Sequence, residues 1–114
     1  MSIQLRLECD SAADAESLHR WLRREPMIRE EGDVAWADSP DPAELGTLID
    51  VLTLVLSSGF SVAQLALSLT EWRLSRPRPP DLTIVYEKPD GSIVRIEVGN
   101  AETLEHELRG LVQG

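Results

Sequence analysis

The sequence of 114 residues is poor in the side chains that usually announce chemistry. It has a single cysteine, Cys9, so no internal disulfide can form, and a lone thiol fits a reducing cytoplasm. Cys9 alternates with Ile3, Leu5 and Leu7, which is the setting of a small buried side chain rather than of an exposed nucleophile. Positive charge is scarce: acidic residues outnumber basic ones 20 to 11, and the net charge is −9. Nucleic acid is therefore not expected as a partner, because phosphate contacts need a positive footprint. The basic side chains are ten arginines and one lysine, Lys88.

Catalytic spacings are missing too. There is no HExxH or CxxC pair for a metal, no glycine-rich phosphate loop, and no Gly-x-Ser-x-Gly pattern around Ser57-Ser58-Gly59. His19 has Glu16 three positions before it and His106 has Glu102 four before it, the arrangement of solvated pairs on a helix face. Asp10, Asp14 and Glu16 lack the spacing and turn glycine of a calcium loop, and a helix N-terminus accounts for them. The chain is thus expected not to be an enzyme, with no catalytic, cofactor-binding or metal-binding residue assigned and no cofactor. The first ten residues lack the basic start and apolar run of a secretory signal, and no C-terminal lipidation box is present.

Length and composition, 42% hydrophobic and 27% charged, predict one globular domain over residues 1–114. Ile3 to Cys9 alternates as a half-buried strand. Ser11 and Asp14 then open a helix with Ala15, Leu18 and Leu22 on one face and Trp21 beside them, stopped at Glu25-Pro26. Met27 to Gly32 reads as a connection and Asp33 to Ala37 as a short strand carrying Val34 and Trp36. Strand, helix and strand in that order suggest a parallel crossover.

The densest apolar stretch is Leu45 to Trp72. Ser39 to Glu44 reads as a helix start, and Leu45, Leu48, Ile49, Leu52 and Leu56 follow at helical spacing. Ser57-Ser58-Gly59 would end that helix, and Ser61 with Gln64 would begin the next, with Phe60 and Leu65 as a staple. A helical hairpin results. No run reaches the roughly 20 apolar residues that a spanning helix needs, and Asp50 lies within the first half.

Leu82 to Tyr86 and Ile93 to Val98 flank a Pro-Asp-Gly turn as a β-hairpin, and Asn100 can cap a last helix facing inward through Leu104, Leu108 and Leu111. The prediction is α+β in the order β-α-β-α-α-β-β-α, one mixed sheet packed against helices that include the central hairpin.

Contact residues suggest themselves more readily than reacting ones. Arg20, Arg23 and Arg24 surround Trp21 late on the first helix, Arg29 can extend the basic spot, and Trp36 is a further aromatic anchor. Trp72 reads as core.

Four ordered blocks carry a family resemblance: HRWLRREP (His19 to Pro26), LGTLIDVLTLVLSSG (Leu45 to Gly59), LALSLTEWRLSRPRP (Leu65 to Pro79) and IVYEKPDGSIVRIEV (Ile84 to Val98). Together they resemble the bacterial effector-associated constant component family. The resemblance implies a small non-enzymatic component of a multi-gene bacterial conflict system, standing beside or fused to effectors such as trypsin-like or caspase-like peptidases. Its implied role is coupling or adaptor-like, its implied partners effector or switch proteins encoded nearby, and it brings no catalytic residues with it. A homo-oligomer is compatible with the sequence. The alternative is a membrane-active component whose 45–72 hairpin inserts into a bilayer on activation.

Overall fold

Alternation of apolar and polar side chains builds the first element, β1 (Ser2–Cys9), with Leu5, Leu7 and Cys9 turned into the core. The computed structural model describes residues 2–36, 51–57 and 59–113. After β1 come α1 (Ala12–Arg24), α2 (Pro26–Glu31), β2 (Gly32–Trp36), β3 (Val51–Ser57), α3 (Val62–Ser75), β4 (Leu82–Glu87), β5 (Ile93–Glu97) and α4 (Ala101–Gln113). The five strands form one sheet in the order β2-β3-β1-β4-β5, and every pairing is antiparallel. The mixed sheet expected from the sequence is corrected by this pairing. β1 and β2 do run in the same direction, but β3 lies between them and pairs antiparallel with both.

Leaving out α2, the segment β1-α1-β2-β3-α3-β4 with β2-β3-β1-β4 as its sheet order is the ferredoxin-like, or split β-α-β, connection. β5 widens the sheet beside β4, and α4 packs chiefly on α3. Leu5, Leu7, Leu52, Leu54 and Ile84 of the sheet meet Leu18 and Leu22 of α1 and Leu65, Leu69 and Trp72 of α3 in one core cluster. Each such side chain contributes on the order of 1.5 to 3 kcal/mol by leaving water. This face of the sheet is the inner face. Gln4, Arg6, Asp33, Glu87, Ile93, Arg95 and Glu97 are exposed on the opposite, open face.

The helix expected over Leu45 to Leu56 is the main correction. Val51–Ser57 is a strand, with Leu52, Leu54 and Leu56 fully buried and Val51, Thr53, Val55 and Ser57 half-buried between them. The β-branched residues at 51, 53 and 55 suit a pleated surface, and strand pairing on both sides covers a run too apolar for one helix stripe. The central element is thus a strand followed by a helix rather than a helical hairpin. The helix start at Ser39 to Glu44, and Asp50, lie outside the described residues. Met27 to Gly32, read as a connection, is mostly the short helix α2, with Pro26 at its first position.

Elsewhere local signals carry through. Ser11 Oγ accepts from Asp14 N at 3.2 Å, Ser61 Oγ from Gln64 N at 3.2 Å, and Asn100 Oδ1 from Thr103 N at 2.8 Å. β4 and β5 form the expected hairpin, in which Gly91 takes φ +93° and Asp90 Oδ1 accepts from Ser92 N at 2.8 Å. Among the described residues no helix is long and apolar enough to cross a membrane.

Candidate functional site

Helix α1 has a buried stripe of Ala15, Leu18 and Leu22, and its two flanks reach different neighbours. On one flank His19 stacks on Trp36 of β2, ring centroids 5.2 Å apart and planes 16° from parallel. Trp36 keeps 40% of its surface exposed, so the imidazole fixes an indole that is still open to a partner. One turn on from His19, Arg23 lines a cleft of about 250 Å³ together with Arg29, Ile28, Gly32, Asp33 and Val34.

The other flank faces α3 and is tied down by hydrogen bonds. Trp21 Nε1 donates to Ser68 Oγ at 3.0 Å, and Ser68 Oγ donates to Glu25 Oε2 at 2.9 Å. One turn back, Ser17 Oγ accepts from Trp72 Nε1 and from Arg76 Nη1, each at 3.1 Å. Arg76 Nη2 also pairs with Asp14 Oδ1 at 2.9 Å, joining the end of α3 to the first turn of α1. Ser68 is 2% exposed and Trp72 1%, so both tryptophans fasten one helix to the other.

A family model described as Effector Associated Constant Component 1 matches residues 8–112. The chain belongs to that family. No curated protein and no solved structure matches it.

In this constant component the five residues singled out as partner contacts do not form one patch. Trp36 and Arg23 lie on the β2 flank, Arg20 and Arg24 are exposed along the helix, and half-buried Trp21 turns toward α3. The feature that sequence reasoning missed is the His19–Trp36 stack. Its only local trace is that His19 and Arg23 are four positions apart and therefore share a helix face.

Burial first, and then the neighbouring Arg23, favour the neutral imidazole. Burial lowers the pKa of His19 below 6.5 and the Arg23 guanidinium lowers it further, while Asp33 pulls the other way. His106, the second histidine, is exposed on α4. Among the described residues no three His, Cys, Asp or Glu side chains gather as metal ligands.

A larger cleft of about 610 Å³ lies where β1 and β5 end and β4 begins, lined by Glu8, Asp10, Asp81, Glu97 and Arg73 among others. Several of its groups already serve the fold. Asp10 Oδ2 accepts from Asp81 N at 3.1 Å, Arg73 Nε donates to Pro80 O at 2.7 Å, and Glu8 pairs with Arg95 at 2.9 Å. Cys9 is buried at its wall, where β1 faces Leu82 of β4.

Proposed function

We propose that this constant component is a non-enzymatic adaptor of a bacterial conflict system, working in the cytoplasm and docking an effector protein encoded near it. Family membership supports the association with effectors, since the family takes its description from it. The observation that carries the docking surface is Trp36, an exposed indole held in place by His19 beside a cleft with two arginines. An aromatic side chain fixed before binding loses little entropy on docking, and tryptophan and arginine are over-represented among residues that dominate interface energies. Arg23 and Arg29 outnumber Asp33 in this cleft and give it a local positive field on an acidic protein, which suits an acidic segment of the effector.

The test is co-purification of the full chain with each product of the neighbouring genes, with and without nucleotide. A retained effector is expected, with affinity falling by about tenfold or more in Trp36→Ala and in Arg23→Glu. Failure to retain any neighbouring product under activating conditions refutes the reading, as does an effector that binds both variants as tightly as the parent.

A further inference from the structure

Among the described strands β5 has one neighbour, β4, and its hydrogen-bond phase shows which backbone groups point away from it. Val98 N donates to Leu82 O at 2.9 Å and Lys88 N to Ser92 O at 2.8 Å. With Ile84 opposite Ile96 and Tyr86 opposite Val94, the even-numbered residues of β5 exchange hydrogen bonds with β4. The N–H and C=O groups of Ile93, Arg95 and Glu97 therefore face outward, and no other described residue bonds them. IVRIE has no proline or lysine, and its two charged residues, Arg95 and Glu97, are of opposite sign, so they guard the edge against other strands less than against a strand of complementary charge. Ile93 is 61% exposed on the same strand.

We propose that two copies of the chain join their sheets through this edge, β5 against β5 of the second copy, about a twofold axis at Ile96. A twofold perpendicular to the sheet keeps each side chain on its own face, so only residues of equal parity can lie opposite one another. Charge selects among these registers. Centring on Arg95 sets arginine against arginine, and centring on Val94 sets Arg95 against Ile93. Centring on Ile96 sets Arg95 opposite Glu97 twice, once on each side of the axis, and both residues have their backbone groups outward. The inner face gains Ile96 against Ile96 and Val94 against Val98, which continues the apolar layer of the core. Arg95 pairs with Glu8 of its own chain at 2.9 Å, is 62% exposed, and has donors left for a carboxylate across the edge. The occupant is a second copy because the strand is charge-complementary to itself in this register.

Sedimentation velocity over about 10 to 500 µM chain, at a salt concentration where the Debye length is near 8 Å, reads the association directly. The parent is expected to move from monomer to dimer across that range. Arg95→Glu and Glu97→Arg each place like charges opposite one another and are expected to weaken the dimer by about tenfold or more. An equimolar mixture of these two variants matches every charge again and is expected to dimerise, as is the doubly swapped chain R95E/E97R. Circular dichroism of each variant separates lost pairing from lost folding, and the mixture makes the same separation in a second way. A parent that stays monomeric throughout overturns the proposal. So do single variants that dimerise like the parent, and a mixture that stays monomeric.

Discussion

The same chemical change, glycine to alanine, is predicted to have opposite signs at two positions of this fold. Gly32 opens β2 with φ −172°, extended backbone that any residue adopts, so conformation alone does not require glycine there. Space does. A Cβ built at Gly32 lies 2.1 Å from the carbonyl oxygen of Val55 and 2.8 Å from Cδ2 of Leu56. A carbon and a carbonyl oxygen in neighbouring strands sit about 3.3 to 3.6 Å apart, so β2 would have to retreat from β3 by more than about 1 Å. Backbone hydrogen bonds near 2.9 Å do not survive such a shift at the start of a strand of five residues. Overpacking of about 1 to 3 kcal/mol adds to about 1 kcal/mol for a weakened ladder bond, against about 0.4 to 1 kcal/mol gained by stiffening the unfolded chain. Gly32→Ala is therefore expected to cost about 1 to 3.5 kcal/mol. Gly110 is exposed within α4 and a Cβ there meets nothing within 4 Å, so Gly110→Ala is expected to stabilise by about 0.5 to 1 kcal/mol through helix propensity. Urea unfolding followed by circular dichroism should separate the two variants by roughly 1 to 2 M in midpoint, on either side of the parent. A Gly32→Ala protein within about 0.5 kcal/mol of the parent would mean that β2 does not lie this close to β3.

Two further predictions test the flanks of α1. Ser68→Ala leaves the Trp21 indole N–H without its acceptor and Glu25 without its donor, at an expected cost of about 1 to 2 kcal/mol. A double-mutant cycle with Trp21→Phe should recover part of that loss, and a coupling energy indistinguishable from zero would show that the hydrogen bond contributes nothing. His19, held neutral chiefly by burial, binds fewer protons in the folded chain than in the unfolded one near and below pH 6.5. Its contribution to stability is therefore full above pH 6.5, is lost as the pH falls, and levels off below the lowered folded pKa. His19→Phe should flatten the stability profile between pH 7.5 and 5.5, above the range in which most carboxylates titrate, and an unchanged slope would exclude His19 as its source.

The local signals that the sequence displays are those that need few neighbours. Ser11 with Asp14, Ser61 with Gln64 and Asn100 with Thr103 are caps made within four residues, and the Pro-Asp-Gly turn closes over Gly91. The class and the succession of elements from β1 to α1 and from α3 to α4 follow from them. What stayed hidden depends on partners far along the chain. Leu52 and Leu56 fit a helical period when counted with Leu45, Leu48 and Ile49, and fit a strand period when Leu54 is counted with them. Only the places of β1 and β2 on either side decide for the strand. The tryptophan bonds were equally out of reach, since Trp21 and Ser68 are 47 residues apart and Trp72 and Ser17 are 55 apart. His19 and Trp36 meet only because the sheet order brings β2 under the side of α1.

Placing β3 inside the sheet also decides how the apolar stretch can act. A hairpin that leaves the core for a bilayer must be held there weakly, but Val51–Ser57 is paired at seven positions with β1 and at five with β2. Its three leucines are fully buried against the helices. Removing it takes away the strand that joins β2 to β1 and three fully buried leucines of the inner face, which amounts to unfolding the domain, at a cost of about 5 to 15 kcal/mol for ordinary domains. A trigger would have to supply that difference before any lipid contact repaid it. Among the described residues the large apolar side chains that remain exposed are Trp36 beside the arginine cleft, Leu67 and Leu74 one heptad apart on α3, and Ile93 at the β5 edge. These are scattered single residues, each on an intact element, and can be covered by a protein surface without disturbing a strand. Contact with another protein would leave this fold as it stands, whereas insertion of the central stretch would have to destroy it.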